Sequence, residues 1–583
     1  MLGIKLTEIK ESKKTRISGI LKKKMFNNFC YLCLMKRFVL LIFIFSFSLC
    51  EGQSWVWGRD CSAGYDPISC NIAGDTKGNG FLFGSFDSVV SFGTYKLTGP
   101  PTRRNDYLVK YDTLGSILWI KQIYGNPGYI IGNTDYSDNM YISGGYIDSV
   151  RFDSLTFASM ASPAYLVKYS PSGKLNWGIQ FTGNYIAASS IAFDDSSNVF
   201  LSGFTKGSMQ FGTLNYTGPT TNEFFIVKYN SAGVPQWARY PTSIASSNSN
   251  SSSIFCDRQG NAYVTGVFHD SIIVGSTTLK SKGSSDIFLV KFDGNGNVLW
   301  AKQSFAQTRF DAILSNGMIT DDANNIYLAG QIEGVVTIGS TNLNIPGFPP
   351  SVYLAKFDEN GNSLWVKVSQ PSLANAYSLT RDICDNIYMA VGESDSSEFI
   401  ISTDTVITNP GNGLYIAFDT SGHVISSANL YSVGDDYDCI ASNPRGNSVF
   451  AGGDILSTIV VGSDTLTPVG ELPFIARWNN PGCKDVSNIS SVSSLHQSIM
   501  LFPNPNTGKF TIQLSGVSGN PDGYQESVEI YNVLGEKVTI ATLKQVQGDF
   551  KIDLTNQPNG IYLYRVISEE GNLVGEGKFV ITH

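Results

Sequence analysis

Three observations predict an all-β fold built from repeats. A ten-residue stretch recurs along the chain: "DTKGNGFLFG" from Asp75, "DYSDNMYISG" from Asp135, "DDSSNVFLSG" from Asp194, "DRQGNAYVTG" from Asp257 and "DDANNIYLAG" from Asp321, with weaker copies "DICDNIYMAV" from Asp382 and "NPRGNSVFAG" from Asn443. A second motif follows each of the first six by about 30 residues, as in "YLVKYDTLGSILWIK" from Tyr107 and "FLVKFDGNGNVLWAK" from Phe288. Finally, the chain holds 58 Gly and only 15% charged residues, a composition suited to short strands and tight turns rather than helices.

The chain opens with a basic segment. Residues 1–52 carry ten Lys/Arg against three Glu, so the net charge of −8 becomes about −15 without them. "MKRFVLLIFIFSFSLCEGQ" from Met35 has the basic start, apolar run and small-residue cleavage site of a secretory signal. Met35 is the expected true start. The apolar run is shorter than the ~20 residues of a membrane span, so no stable transmembrane segment is expected after cleavage. An acidic remainder argues against a nucleic-acid partner. An exported chain permits disulfides, and Cys61 with Cys70 is the expected pair.

Each repeat then reads as four strands. The Asn of the first motif advances by 60, 59, 63, 64, 61 and 61 residues from Asn79 to Asn447. The Asp four residues before it caps its own backbone and closes a turn between strands a and b. The Gly five residues after it, such as Gly84, Gly203 or Gly330, marks a close approach of strands. The "LVK" run is strand c, and a Gly turn leads to strand d with its Trp. The repeated Lys residues (Lys110, Lys168, Lys228, Lys291, Lys356) are expected to lay their stems across the sheets. A lone sheet of this kind cannot bury both faces; radial stacking can, which gives a β-propeller. A seventh strand c, "LPFIARW" from Leu472, has no strand d after it, whereas Trp57-Gly58-Arg59 near the start matches Trp119-Ile120-Lys121. The N-terminal strand is therefore expected to close a seven-bladed ring over residues 53–480.

These repeats resemble the bacterial seven-bladed β-propeller repeat family, which shares "D-x-x-G-N-x-Y-V-x-G" followed by "D-x-F-V-x-K-Y-x-x-x-G-x-x-x-W". The resemblance implies a fold and leaves activity open.

Residues 481–497 read as a Ser/Asn-rich linker, and 498–583 as a small β-sandwich with strands such as "KFTIQL" from Lys509 and "GIYLYRVI" from Gly560. Phe502-Pro503-Asn504-Pro505 with Gly508, Val528 through Val538 around Gly535, Pro558 to Tyr562 with Gly560, and Lys578-Phe579-Val580-Ile581 resemble the type A C-terminal sorting domain of the type IX secretion system of Bacteroidetes. That resemblance implies type IX machinery as a partner and a secreted or cell-surface destination.

Catalytic signatures are missing. The four His (His269, His423, His496, His583) sit in no nucleophile or metalloprotease motif, and no P-loop occurs. "DGNGN" at Asp293 and "DENGN" at Asp358 occupy hairpin-turn positions and lack the Gly and Glu of a calcium loop. No metal or cofactor is expected. The expected role is a binding or adhesion scaffold for an extracellular glycan or protein. The alternative is a polysaccharide-active hydrolase or lyase using acids such as Asp311, Asp435, Asp436 and Asp438. The d–a and b–c connections vary in sequence, and variable loops on a rigid scaffold carry function. Tyr129, Tyr185, Tyr240, Phe310 and Tyr377 on the d–a loops are the candidate binding residues.

Overall fold

The computed structural model describes residues 55–479 and 498–582 apart from short segments, the longest being 431–438 and 516–525. The chain divides into two compact units, Met1–Cys483 and Lys484–His583. All of the described secondary structure is β. No helix among the described residues is long and apolar enough to cross a membrane.

In the first unit, each motif copy builds one antiparallel four-stranded repeat. Repeat four shows the pattern: Ser249–Cys256 (a) pairs with Ala262–Phe268 (b), b with Asp286–Phe292 (c), and c with Val298–Ala306 (d). In the first two repeats, strand d runs unbroken into the next strand a, as Ile117–Thr134 and Leu175–Phe193. Repeat seven takes its strand d from the start of the chain. Trp55–Asp60 pairs antiparallel with Leu472–Asn479, setting Trp57 opposite Arg477 just as Trp119 stands opposite Lys110.

The repeated residues explain the repeated geometry. Asp257 Oδ1 accepts the amide protons of Gln259 and Asn261, while Oδ2 accepts from the Asn261 amide and the Tyr263 hydroxyl. The same set recurs at Asp321 and Asp382. The Lys residues do more than cover a surface, contrary to the sequence expectation. Each is nearly buried and points its ammonium at the Asp of its own repeat, 2.9–3.9 Å away. Each also lies 4.7–4.9 Å from the centroid of the strand b aromatic ring. Lys110 and Trp119 both donate to Pro171 O in the next repeat's c–d turn, and Lys228 and Trp237 both donate to Gly294 O. Trp57 closes the series by donating to Thr113 O, 3.0 Å away in repeat one. Trp and Lys thus together clamp repeats one, two and three to their successors. In repeat six, Ala417 and Ser426 stand at the Lys and Trp positions.

The b–c connections are not the variable loops expected. Each carries a small hairpin, as in Val89–Phe92 with Tyr95–Thr98, Ser271–Val274 with Thr277–Lys280 and Val335–Ile338 with Thr341–Asn344. Its outer face meets the chain leaving the preceding strand d, as in Phe305↔Thr337 and Thr242↔Ile273. Each of these two pairings is two residues long and ties one repeat to the next.

The expected Cys61–Cys70 disulfide is not formed. Cys61 is a buried free thiol in the core around Trp57 and Leu472, and burial pushes its pKa up. The cause is topological: the strand before Cys61 belongs to repeat seven, whereas Cys70 lies on strand a of repeat one.

The second unit has two antiparallel sheets, one of three strands and one of four. Phe510 and Ile512 from one and Val528, Tyr562 and Phe579 from the other share one core, a sandwich arrangement.

Candidate functional site

Strand a is where the chain departs from regular pairing. In several repeats it carries a β-bulge opposite the repeat Gly of strand b. The register jumps there between Ala188 and Ser190, between Ser251 and Ser253, and between Pro127 and Ile130; it also jumps between Ala376 and Ser378 in repeat six, where Val391 stands in place of the Gly. The Gly makes room for the bulge. A Cβ on Gly203 would sit 2.1 Å from Ala187 O, and one on Gly266 would sit 2.0 Å from Asn250 O. Bulges bend a strand and re-aim its side chains.

Here the re-aimed residues line one cavity of about 740 Å³. Its wall includes Tyr129, Ser189, Ser252 and Tyr377 from the bulged positions, with Tyr185 and Asn316 beside them. Five consecutive repeats, two to six, contribute. That volume lies within the range of small-ligand sites.

The candidate aromatics divide. Tyr129 and Tyr185 are 49% and 45% exposed and line the cavity together with half-buried Tyr377. Tyr240 does not join them. Its ring lies tilted against Tyr216, 3.6 Å between centroids, in a separate groove beside Trp237 and Arg239. The reason is chain distance: Tyr240 comes three residues after its strand d Trp, whereas Tyr185 comes eight and Tyr129 ten after theirs. Only the longer run carries a ring to the bulged strand a. Phe310 lies outside the described residues, as do the acids Asp311, Asp435, Asp436 and Asp438.

The described lining of the cavity is uncharged. Among the described residues, no Asp, Glu, Lys, Arg or His lines it. Burial pushes the Tyr146 phenol up to about 12, which keeps that wall neutral. Its polar groups are fixed by neighbours: Asn316 Nδ2 donates to Ala376 O at 2.8 Å, and Ser251 Oγ donates to Gly203 O at 2.9 Å. Sequence reading missed Tyr146, Phe204, Ser252 and Asn316. The signal was the repeat Gly, which marked a strand irregularity without saying which residues it would turn inward.

The a–b turns carry the opposite character. Arg445 of repeat seven donates to Asp195 of repeat three and lies 4.0 Å from the centroid of the Tyr136 ring of repeat two. Arg258 and Arg381 both bind Asp322, at 2.7 and 2.8 Å. These ion pairs surround a void of only about 10 Å³.

In the sandwich, Gly508 takes a φ of +86°, and a Cβ there would fall 2.6 Å from Thr555 N. Tyr562 is buried against Phe579, with its hydroxyl donating to Pro558 O at 2.8 Å. Gly560 begins a strand, and Lys578 pairs with Leu563 in the same sheet. Pro503, Asn504, Pro505 and Gly535 lie outside the described residues.

Comparison with known proteins agrees with both parts. Residues 500–582 match the secretion system C-terminal sorting domain family. The chain is also 24% identical to an uncharacterized WD repeat-containing protein of Acanthamoeba polyphaga mimivirus, over 57% of this chain. The matched region spans about 30% of that relative's length. The C-terminal domain indicates export to the cell surface or secretion through the type IX system.

Proposed function

We propose that the chain is an exported seven-bladed β-propeller that binds an extracellular glycan or protein in the cavity formed by its bulged strands, without converting it. The residues after 497 act as the export address and residues 53–480 as the cargo. A closed ring is supported by the contacts between successive a strands. They run from Ile68–Gly74 through the later a strands to Cys439–Ser442, which packs against Ile68–Gly74 again. The pairing of Trp55–Asp60 with Leu472–Asn479 supports the same reading.

The observation that carries the binding role is a cavity whose described lining is aromatic and uncharged. Acid–base catalysis on glycosidic bonds needs a pair of carboxyl groups beside the substrate, and the described lining offers none. The test is a screen of surface polysaccharides and proteins with the purified full chain, followed by product analysis of every hit. The expected result is a ligand recovered intact whose binding falls in Tyr129→Ala and Tyr377→Ala with the unfolding midpoint unchanged. Cleaved or modified ligand would contradict the role, and undiminished binding in both variants would contradict the site.

A further inference from the structure

We infer that the cavity accepts the uncharged end of a saccharide chain, a conclusion that rests on the cavity being the binding site. Three features narrow the ligand. The first is the closed far side. With the a strands arranged in a ring, the Arg445–Asp195 contact between repeats seven and three spans the axis, and the ion pairs around Asp322 leave almost no space beside it. A ligand therefore enters from the cavity side and stops. The site takes the end of a chain rather than a threaded segment.

The second feature is charge. A peptide end carries an ammonium or a carboxylate, and burying either without a partner is costly. Among the described residues the lining supplies no counter-charge. Uronic-acid, sialylated and sulfated sugars meet the same obstacle. An internal peptide segment would instead add to a sheet edge, outside the cavity.

The third feature is the pairing of exposed rings with neutral hydrogen-bonding groups. Tyr129 and Tyr185 present ring surface to the cavity, and Ser189, Ser252 and Asn316 stand among them. A pyranose offers apolar C–H faces to aromatic rings and hydroxyls to serine, amide and backbone groups. Tyr185 is held against Phe204, with ring centroids 5.9 Å apart, so its orientation is set before a ligand arrives. Such preorganisation lowers the cost of binding.

The experiment is calorimetric titration of the purified full chain, at low and high salt. The probes are uncharged oligosaccharides (gluco-, manno-, xylo- and N-acetylglucosamine series), uronic-acid oligomers of matched length, and peptides blocked at both ends. At least one uncharged series should bind at millimolar concentration or below, with affinity indifferent to salt. Tyr185→Ala should weaken it about tenfold, and Tyr185→Phe should preserve it. Tyrosine-dependent binding confined to the acidic oligomers or to peptides would overturn the saccharide assignment and leave the cavity standing as the binding site. Saccharide binding that survives both Tyr129→Ala and Tyr185→Ala would overturn the cavity itself. Failure of every uncharged saccharide to bind would overturn the inference.

Discussion

The repeated aspartates were legible in the sequence as turn formers, and their geometry bears that reading out. The ammonium beside each was not legible. A Lys on strand c is 33–35 residues from its Asp, and only the pairing of b with c brings the two together. Asp106 is a different kind of carboxyl. It is fully buried on strand c of repeat one, accepts a hydrogen bond from Ser85 Oγ at 2.7 Å, and leaves Oδ2 without a hydrogen-bond partner among the described residues. Burial pushes its pKa from the ordinary 3.8 up to about 8. Between those two values the folded chain holds a proton that the unfolded chain releases, so stability is lost as pH rises through that window. Asp106→Asn should therefore behave like the parent near pH 4 and gain on the order of a few kcal/mol by pH 8. Denaturant titrations of both proteins across that range check this. A constant difference between them would mean that the carboxyl is not held neutral in the folded state.

Among the elements, strands a to d were legible because alternation and Gly turns mark each one. The b–c hairpins were not. Their strands are only three to five residues long, too short for an alternating pattern to stand out from a loop. The bulges of strand a were half legible, through the Gly opposite them, and Tyr240 was misplaced because chain distance along the d–a crossover was not weighed. The bulge geometry has a measurable consequence. In Gly203→Ala, the new Cβ would meet a backbone carbonyl at 2.1 Å, which no side-chain rotation relieves. The bulge must move, at a cost of about 1–3 kcal/mol, and Ser189 and Tyr185 move with it, weakening ligand binding. Gly294→Ala, with no atom nearer than 3.6 Å, should change neither stability nor binding. Equal effects of the two substitutions would show that the repeat Gly is not needed for the bulge.

For the whole molecule, the proposal joins a ring, a one-sided cavity and an export domain. The pairing of the N-terminal strand with the last repeat was legible from an unfinished last repeat and a Trp-x-basic pattern at the far end of the chain. The cavity was not, since its lining comes from five repeats and acquires meaning only when they meet at the axis. The closed ring depends on the N-terminal strand completing the last repeat. There Trp57 is 3% exposed, Arg59 binds Asp464 at 2.8 Å, and Trp55 packs on Trp478 with ring centroids 5.2 Å apart. The most direct measurement is the thermal unfolding of a mature chain lacking residues 53–60, with and without a synthetic peptide of those residues. The closed ring predicts a loss of several kcal/mol, the worth of a few buried side chains, and recovery of the midpoint when the peptide is added. An unfolding midpoint that does not move on deletion would contradict the closed ring.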